Sequence, residues 1–283
     1  MKPFWPERLE AALQVARSNF PSNPHLDRFC IRYFDSLPST NQTLWELVER
    51  GAPPETVVIA AEQSAGRGQW GRQWQSSQGG LYLSADWQPH AKATQTHPLT
   101  LCSGWGIAIA LRERGIPIGL KWPNDLVIRG RKLGGILTET RIRGGKIDRA
   151  VVGVGINWEN PVPETGVSLR SFWQSSDAQK TSPKLTRDIP SLEMLAAIVL
   201  EGLARGWQYW QQEGVESLVK AYETLLVNIG QSVAIEGQSG TVVGVDGDGN
   251  LRIRLTAQTG EILPEICRSP GNISLGYGEN PGF

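Results

Sequence analysis

The sequence predicts an α/β (α+β) fold: a mixed, largely antiparallel sheet flanked by helices, with a small β-barrel at the C-terminal end. Three observations lead there. Short apolar runs of strand type alternate with longer segments that carry one apolar face. Between residues 118 and 158, strand-like runs are separated by tight-turn signals, which implies antiparallel neighbours. After Gly230 the composition shifts to short β segments punctuated by Gly, Asp and Asn.

Taken in order, residues 1–30 read as a short amphipathic helix (Leu9, Leu13, Ala16) followed by a Pro-punctuated linker. Ile31 to Phe34 reads as a strand. Ser39-Thr40-Asn41-Gln42 opens a helix with Leu44, Leu47 and Val48 on one face; Ser39 and Gln42 match an S-x-x-Q capping box, and Gly51 is placed to end the helix. Val57 to Ala61 is an apolar run of buried-strand type, and Leu81 to Ala85 is the next strand. Leu99 to Arg114 reads as a buried helix stopped by Gly115 and Pro117. Arg129-Gly130-Arg131 and Gly144-Gly145 mark the turns of the antiparallel stretch. Segment 160–190, rich in Pro, Ser and Thr, reads as loop; Ser191–Gln212 and Val215–Ile229 read as two helices. Gln231–Glu236, Thr241–Asp246 and Leu251–Thr256 are the expected barrel strands. The resulting domains are an N-terminal extension (1–30), a main domain (31–229) and the small barrel (230–283).

Lys plus Arg equals Asp plus Glu at 28 each, so the net charge is zero over 283 residues, which argues against a strongly basic nucleic-acid binder or a charged disordered chain. Cys30, Cys102 and Cys267 lie far apart without a CxxC, and His25, His90 and His97 form no ligand spacing with them. A disulfide framework and a protein-held metal are therefore not expected, and a reducing compartment fits. No apolar run approaches a membrane span and the N-terminus lacks a signal-type core, so a soluble, cytoplasmic protein is expected, without a membrane partner.

Gly66-Arg67-Gly68-Gln69-Trp70-Gly71-Arg72-Gln73-Trp74 is the densest chemical signal. It matches G-x-G-x-x-G but leads to a strand, not a helix, and Arg72-Gln73 stands where a Walker loop needs Lys-Ser/Thr. Glycine lets backbone N–H groups approach an anion, Arg67 and Arg72 offer planar forks for its oxygens, and Trp70 and Trp74 offer faces for a base. A second cluster, Lys121-Trp122-Pro123-Asn124-Asp125, is followed across a turn by Lys132-Leu133-Gly134-Gly135; the paired glycines suggest close backbone approach to a ligand. In a third, Val151 to Asn157, Gly153 and Gly155 clear one face of a strand. Asn157 is placed either to read an adenine edge or to serve as a turn residue.

In this order, STN, GRGxxGRxW, KWPND, KLGGIL, GVGIN and a terminal barrel resemble the biotin protein ligases, over nearly the whole chain from Ser39 onward. The resemblance implies a fold related to class II aminoacyl-tRNA synthetases. It also implies a two-step activity: biotin and ATP give biotinyl-AMP, and biotin then passes to a lysine of the biotin carboxyl carrier domain of acetyl-CoA carboxylase. ATP with Mg²⁺ would be the cosubstrate. Carried over, Ser39, Thr40, Asn41 and Gln63 would hold the ureido ring. Gly66, Arg67 and Gly68 would close over biotin, with Gly134 and Gly135 beside it. Lys132 would touch both the carboxylate and the α-phosphate. Arg72, Trp74, Lys121, Asn124 and Asn157 would serve ATP, with Arg67, Arg72 and Lys132 the catalytic cations. The chain departs from the family pattern at Gln69, where several members have Arg. Only about 30 residues precede the main domain, so a DNA-binding role is not expected; a monomer or homodimer is. Two other readings stay open: a lipoate-type acyl-adenylate ligase on the same fold, and a non-catalytic RNA-binding protein using the Arg/Trp loop.

Overall fold

Two sheets organise the chain. The computed structural model describes residues 6–19, 28–89, 91–175, 189–256, 262–273 and 275–277. In chain order the strands are β1 (Cys30–Leu37), β2 (Thr56–Gln63), β3 (Gly80–Trp87), β4 (Gly119–Lys121), β5 (Asp125–Ile128), β6 (Arg131–Arg143), β7 (Lys146–Asn157), β8 (Ser232–Ile235), β9 (Gln238–Val245), β10 (Leu251–Thr256) and β11 (Ile262–Arg268). The helices are α1 (Pro6–Asn19), α2 (Thr40–Glu49), α3 (Thr96–Glu113), α4 (Leu169–Gln174) and α5 (Leu192–Glu223). The larger sheet has seven strands in the order β1-β2-β3-β7-β6-β5-β4, and the smaller has four in the order β11-β10-β9-β8. Among the described strand pairs only β1 and β2 run parallel; the other pairs are antiparallel, as the turn signals required. Both expected tight turns form with two positive-φ residues each, Arg129-Gly130 and Gly144-Gly145, the geometry of a two-residue hairpin.

The large sheet is covered on both faces, so all eight residues of β3 are buried. On one face α2 packs Leu44 and Val48 onto Val58, Ala60 and Val151. Each such aliphatic side chain contributes about 1.5–3 kcal/mol by leaving water. The other face carries α3, α5 and Leu9 and Leu13 of α1. Parallel pairing of β1 and β2 brings the C-terminal ends of both strands to one rim, where the start of β3 and the end of β7 also lie. Residues 38–41 and 63–80 leave the sheet at that rim.

Several expectations change. Segment 160–190 contains a helix, α4: Ser168 caps it by accepting from Ser171 N, and Leu169 and Phe172 are buried. Residues 176–188 and the side chain of Ala16 lie outside the described residues. α5 is the two expected helices joined at a non-helical Gly214 (φ 77°), and the second of them ends at Glu223 instead of Ile229, because Leu226 turns away to bridge Leu120. Ser39 does sit at the N-cap of α2 but makes no capping bond; Gln42 turns instead to Glu46 Oε1 at 3.2 Å, so the capping box does not form. The fourth strand of the small sheet, β11, went unread because Pro264 interrupts its pattern.

Candidate active site

A cleft of ≈ 450 Å³ opens at this rim. Its floor is the face of β7 and β6 that the glycines clear. A Cβ on Gly153 would lie 2.1 Å from Asn41 Oδ1, and one on Gly155 would lie 2.5 Å from Trp74 Nε1. The two glycines thus make room for Asn41 and Trp74, a steric requirement no other residue meets.

The first turn of α2 forms one wall. Ser39, Thr40 and Asn41 are all buried and all line the cleft. Thr40 donates to Gln63 Oε1 through its backbone N–H at 2.8 Å, and Gln63 Nε2 donates to Ser76 Oγ at 2.7 Å. Asn41 Nδ2 donates to Glu139 Oε2 at 2.8 Å, while Ser84 Oγ sits 2.6 Å from Asn41 Oδ1 and 2.8 Å from Thr40 Oγ1. This polar network presents amide and hydroxyl groups to a small, neutral, hydrogen-bonding ligand part. Ser39 keeps its hydroxyl out of the helix cap and faces the same space.

The glycine loop forms the second wall. Gly68 N donates to Arg72 O at 2.7 Å and Trp74 N to Gly66 O at 2.9 Å, so the loop folds back on itself. Arg67 pairs with Glu139 (Nη2 to Oε1, 2.9 Å) while half exposed, and Arg72 lines the cleft with Gln69 and Trp70. Trp74 lines it too, with Lys132 Nζ 5.3 Å from its ring centroid and a buried Nε1–H that has no partner among the described residues.

The charged end lies on β4, β5 and β6. Lys132 Nζ is 2.6 Å from Asp125 Oδ1, and Tyr277 Oη donates to Asp125 Oδ2. Lys121, buried, donates to Leu275 O at 2.7 Å and sits 4.1 Å above the Tyr277 ring. Burial holds the Lys121 ammonium below the ordinary lysine range, opposed by Asp125 and aided by the positive charges of Lys132 and Arg72. Burial, reinforced by Asp125, pushes the Tyr277 phenol up, so it stays a donor at neutral pH.

The structure therefore brings together Ser39, Thr40, Asn41, Gln63, Arg67, Gly68, Arg72, Trp74, Lys121, Asn124, Lys132 and Gly135. Three predicted site residues lie outside the cleft lining. A Cβ on Gly66 would lie 2.3 Å from Ser76 Oγ, and one on Gly134 would lie 2.6 Å from Gly155 O. Close approach is required at both, but by the protein itself and not by a ligand. Asn157 uses its amide internally, donating to Lys132 O and Val167 O and accepting from Asn160 at 3.0 Å. Asn124 lines the cleft yet donates to Ile136 O at 2.7 Å, fixing the turn that carries Asp125. Asp125, Glu139, Ser84 and Tyr277 were not predicted. Ser84 was findable as the polar residue inside the otherwise apolar run Leu81–Ala85, and Glu139 as the next same-face position after Gly135 and Leu137. Among the described residues no cluster of three or more His, Cys, Asp or Glu side chains is placed to hold a metal, and no helix is long and apolar enough to cross a membrane.

Comparison with known proteins follows this geometry. Residues 33–157 match the model of the biotin/lipoate A/B protein ligase family. The chain is 29% identical over 250 residues to the bifunctional ligase/repressor BirA of Bacillus subtilis, covering 86% of this chain and 73% of that protein. It is 29% identical over 230 residues to the biotin–[acetyl-CoA-carboxylase] ligase of Mycobacterium tuberculosis, covering 78% and 80%. It superposes on the biotin protein ligase from Aquifex aeolicus in complex with biotin and ATP with a TM-score of 0.67 and 25% identity, over 88% of this chain and 99% of that one.

Proposed function

We propose that this chain, whose residues 33–157 match the model of the biotin/lipoate A/B protein ligase family, is a biotin protein ligase, which adenylates biotin with ATP and transfers biotin to a lysine of a carboxyl carrier domain. The observation that carries the reading is the convergence on one cleft of a polar pocket, an indole face and four cationic side chains, Arg67, Arg72, Lys121 and Lys132.

The first step joins two anions. The biotin carboxylate oxygen attacks the α-phosphorus, the bond to the bridging oxygen breaks, and pyrophosphate leaves. Two unit charges 4 Å apart repel by about 1 kcal/mol in water and about 4 kcal/mol at an effective dielectric of 20. Fixed cations offset this as the atoms close: Lys132 beside both reactants, Arg72 at the phosphates, and Arg67 once it turns from Glu139. The nucleophile is already ionised, so no general base is needed, and His97, bonded at Nδ1 to Asp248 O at 3.1 Å, stands outside the site. Mg²⁺ arrives on ATP and neutralises phosphate charge; the cleft's Asp125 is already engaged by Lys132 and Tyr277, so the chain supplies mainly positive groups. In the second step a neutral carrier amine attacks the acyl carbon and AMP leaves. The α2 network of Ser39, Thr40, Asn41 and Gln63 suits a ureido ring, which donates and accepts; this favours biotin over lipoate, whose dithiolane ring does neither well. A cytoplasmic location, with all three cysteines free, belongs to the same proposal.

Pyrophosphate release decides the matter. Release that requires biotin and ATP, and label transfer to an added carrier domain, are expected. Release with lipoate and not biotin would reassign the substrate, and no release with either would remove the ligase reading.

A further inference from the structure

The segment after β11 returns to the catalytic cleft. Leu275 is buried, its carbonyl accepts from Lys121, and Tyr277 lies under the Lys121 ammonium with its hydroxyl on Asp125. Asp125 is the residue that faces Lys132. Its two oxygens are divided: Oδ2 receives the Tyr277 hydrogen bond, and Oδ1 lies 2.6 Å from Lys132 Nζ as an ion pair without hydrogen-bond alignment. A salt bridge of that kind sets a distance but not a direction. A phenol O–H is directional and, when it donates to a carboxylate, also shorter and stronger than a neutral bond.

We propose that Tyr277 is a positioning residue: by anchoring Asp125 Oδ2 it fixes the carboxylate plane, so that Oδ1 holds the Lys132 ammonium where the carboxylate and the α-phosphate meet. Tyr277 touches neither reactant in this assignment. It acts through Asp125, and Lys121 acts on Tyr277 by capping its ring and tying its neighbour Leu275. Two consequences follow. The segment that follows the small C-terminal sheet sets the geometry of the catalytic lysine, though more than 140 residues separate Tyr277 from Lys132. Loss of the hydroxyl also affects the rate of adenylation and not the affinity for biotin, because the ureido contacts lie on α2, at the other end of the cleft. A catalytic group displaced by a fraction of an ångström loses rate before it loses binding.

The inference rests on the ligase reading, and its test separates the two. Tyr277→Phe keeps the ring beneath Lys121 and removes only the hydroxyl; an unchanged melting curve checks that the tail stays docked. Single-turnover formation of biotinyl-AMP is measured in wild type, Tyr277→Phe, Asp125→Asn and the double variant, alongside biotin affinity by titration. Tyr277→Phe is expected to slow adenylation about tenfold with biotin affinity within about twofold, and to slow it less than twofold when Asp125 is already Asn, since a residue acting through another loses its effect when that partner is gone. An equal loss in both backgrounds makes Tyr277 merely structural and overturns the proposal, as does an unchanged rate in Tyr277→Phe. A wild-type protein that forms no biotinyl-AMP would overturn the ligase reading instead.

Discussion

Lys132 is the single side chain on which most of the proposed chemistry depends. It meets Asp125 on one side and the Trp74 ring on the other, and all three line the cleft. Lys132→Ala is expected to leave biotin binding close to normal, through the α2 contacts, and to lower adenylation by about 10²–10³-fold. That is the roughly 3–4 kcal/mol expected of one charge-assisted contact made mainly in the transition state. Near-normal biotinyl-AMP formation by the folded variant would remove Lys132 from the mechanism. A second residue governs stability, away from the cleft. Glu201 on α5 is 1% exposed, neither oxygen has a hydrogen bond among the described residues, and Arg114 Nη2 is 3.6 Å away. Burial pushes its carboxyl up to about 7, outweighing Arg114 and Arg205. An acid whose folded pKa exceeds its unfolded value of about 4.3 stabilises the fold while protonated, so this contribution is lost as pH rises from about 4.3 through 7. Glu201→Gln should flatten that part of the stability curve and stabilise the protein at pH 8 by up to about 4 kcal/mol, at roughly 1.4 kcal/mol per pKa unit. Urea unfolding at pH 5 and 8 measures it; an unchanged difference between the two pH values would show that Glu201 is ionised and solvated.

On the ligase reading, the glycine loop is the element expected to open and close. Its internal bonds, the Arg67–Gln73 bridge and the Gly68–Arg72 contact, let it move as a unit, and the Arg67–Glu139 pair, half exposed, is the tether it must break. Exposed ion pairs of this kind are worth about 0–1 kcal/mol, a small barrier to opening. Proteolysis between Gln63 and Gly80 should therefore be rapid in the free protein and slow with biotinyl-AMP bound; equal rates would count against a closing loop. Gln69 lies on the cleft lining at the start of the turn Gln69–Gly71. Arg there would give the adenylate phosphate a charge-assisted bond of about 1.5–3 kcal/mol, against about 0.5–1.5 for Gln. Biotinyl-AMP should thus leave the natural protein about tenfold faster than Gln69→Arg. An unchanged or faster release from the variant, measured by filter binding, would show that Arg67, Arg72 and Lys132 already satisfy the phosphate. Trp74→Ala belongs to the same element and should weaken ATP by about 1–3 kcal/mol, with a smaller loss for biotin. Equal losses would mean that the indole chiefly fills the space above Gly155.

At the scale of the whole molecule, what the sequence disclosed was local and what it hid was distant. Val57–Ala61 and Leu81–Ala85 were readable as strands because both faces are covered and nothing polar breaks the pattern until Ser84. The cationic half of the cleft was readable because Arg67, Arg72 and Lys132 sit in compact motifs. Its counterpart was not: Tyr277 meets Asp125, and Glu139 meets Asn41 and Arg67, only through folding. The same limit bears on the boundary at residue 230. Val242, Val245, Leu251, Ile253 and Leu275 are buried in the same apolar cluster as the large sheet and α3, and Trp122, buried on the other side of that boundary, donates through Nε1 to Gly249 O at 2.9 Å. Four short strands with one shared apolar face have little core of their own. A boundary of topology and not of folding is then expected. Full-length protein should unfold in one transition, with tryptophan fluorescence and circular dichroism coincident. A chain ending at residue 229 would expose that apolar face of the catalytic domain, and re-exposing it at about 1.5–3 kcal/mol per large side chain is comparable to the 5–15 kcal/mol that holds a domain together. That truncated chain should be destabilised to the edge of folding and should form no biotinyl-AMP. Two separated transitions in the full chain, or a truncated chain that melts like the parent, would make the small sheet an independent domain resting on a self-sufficient one.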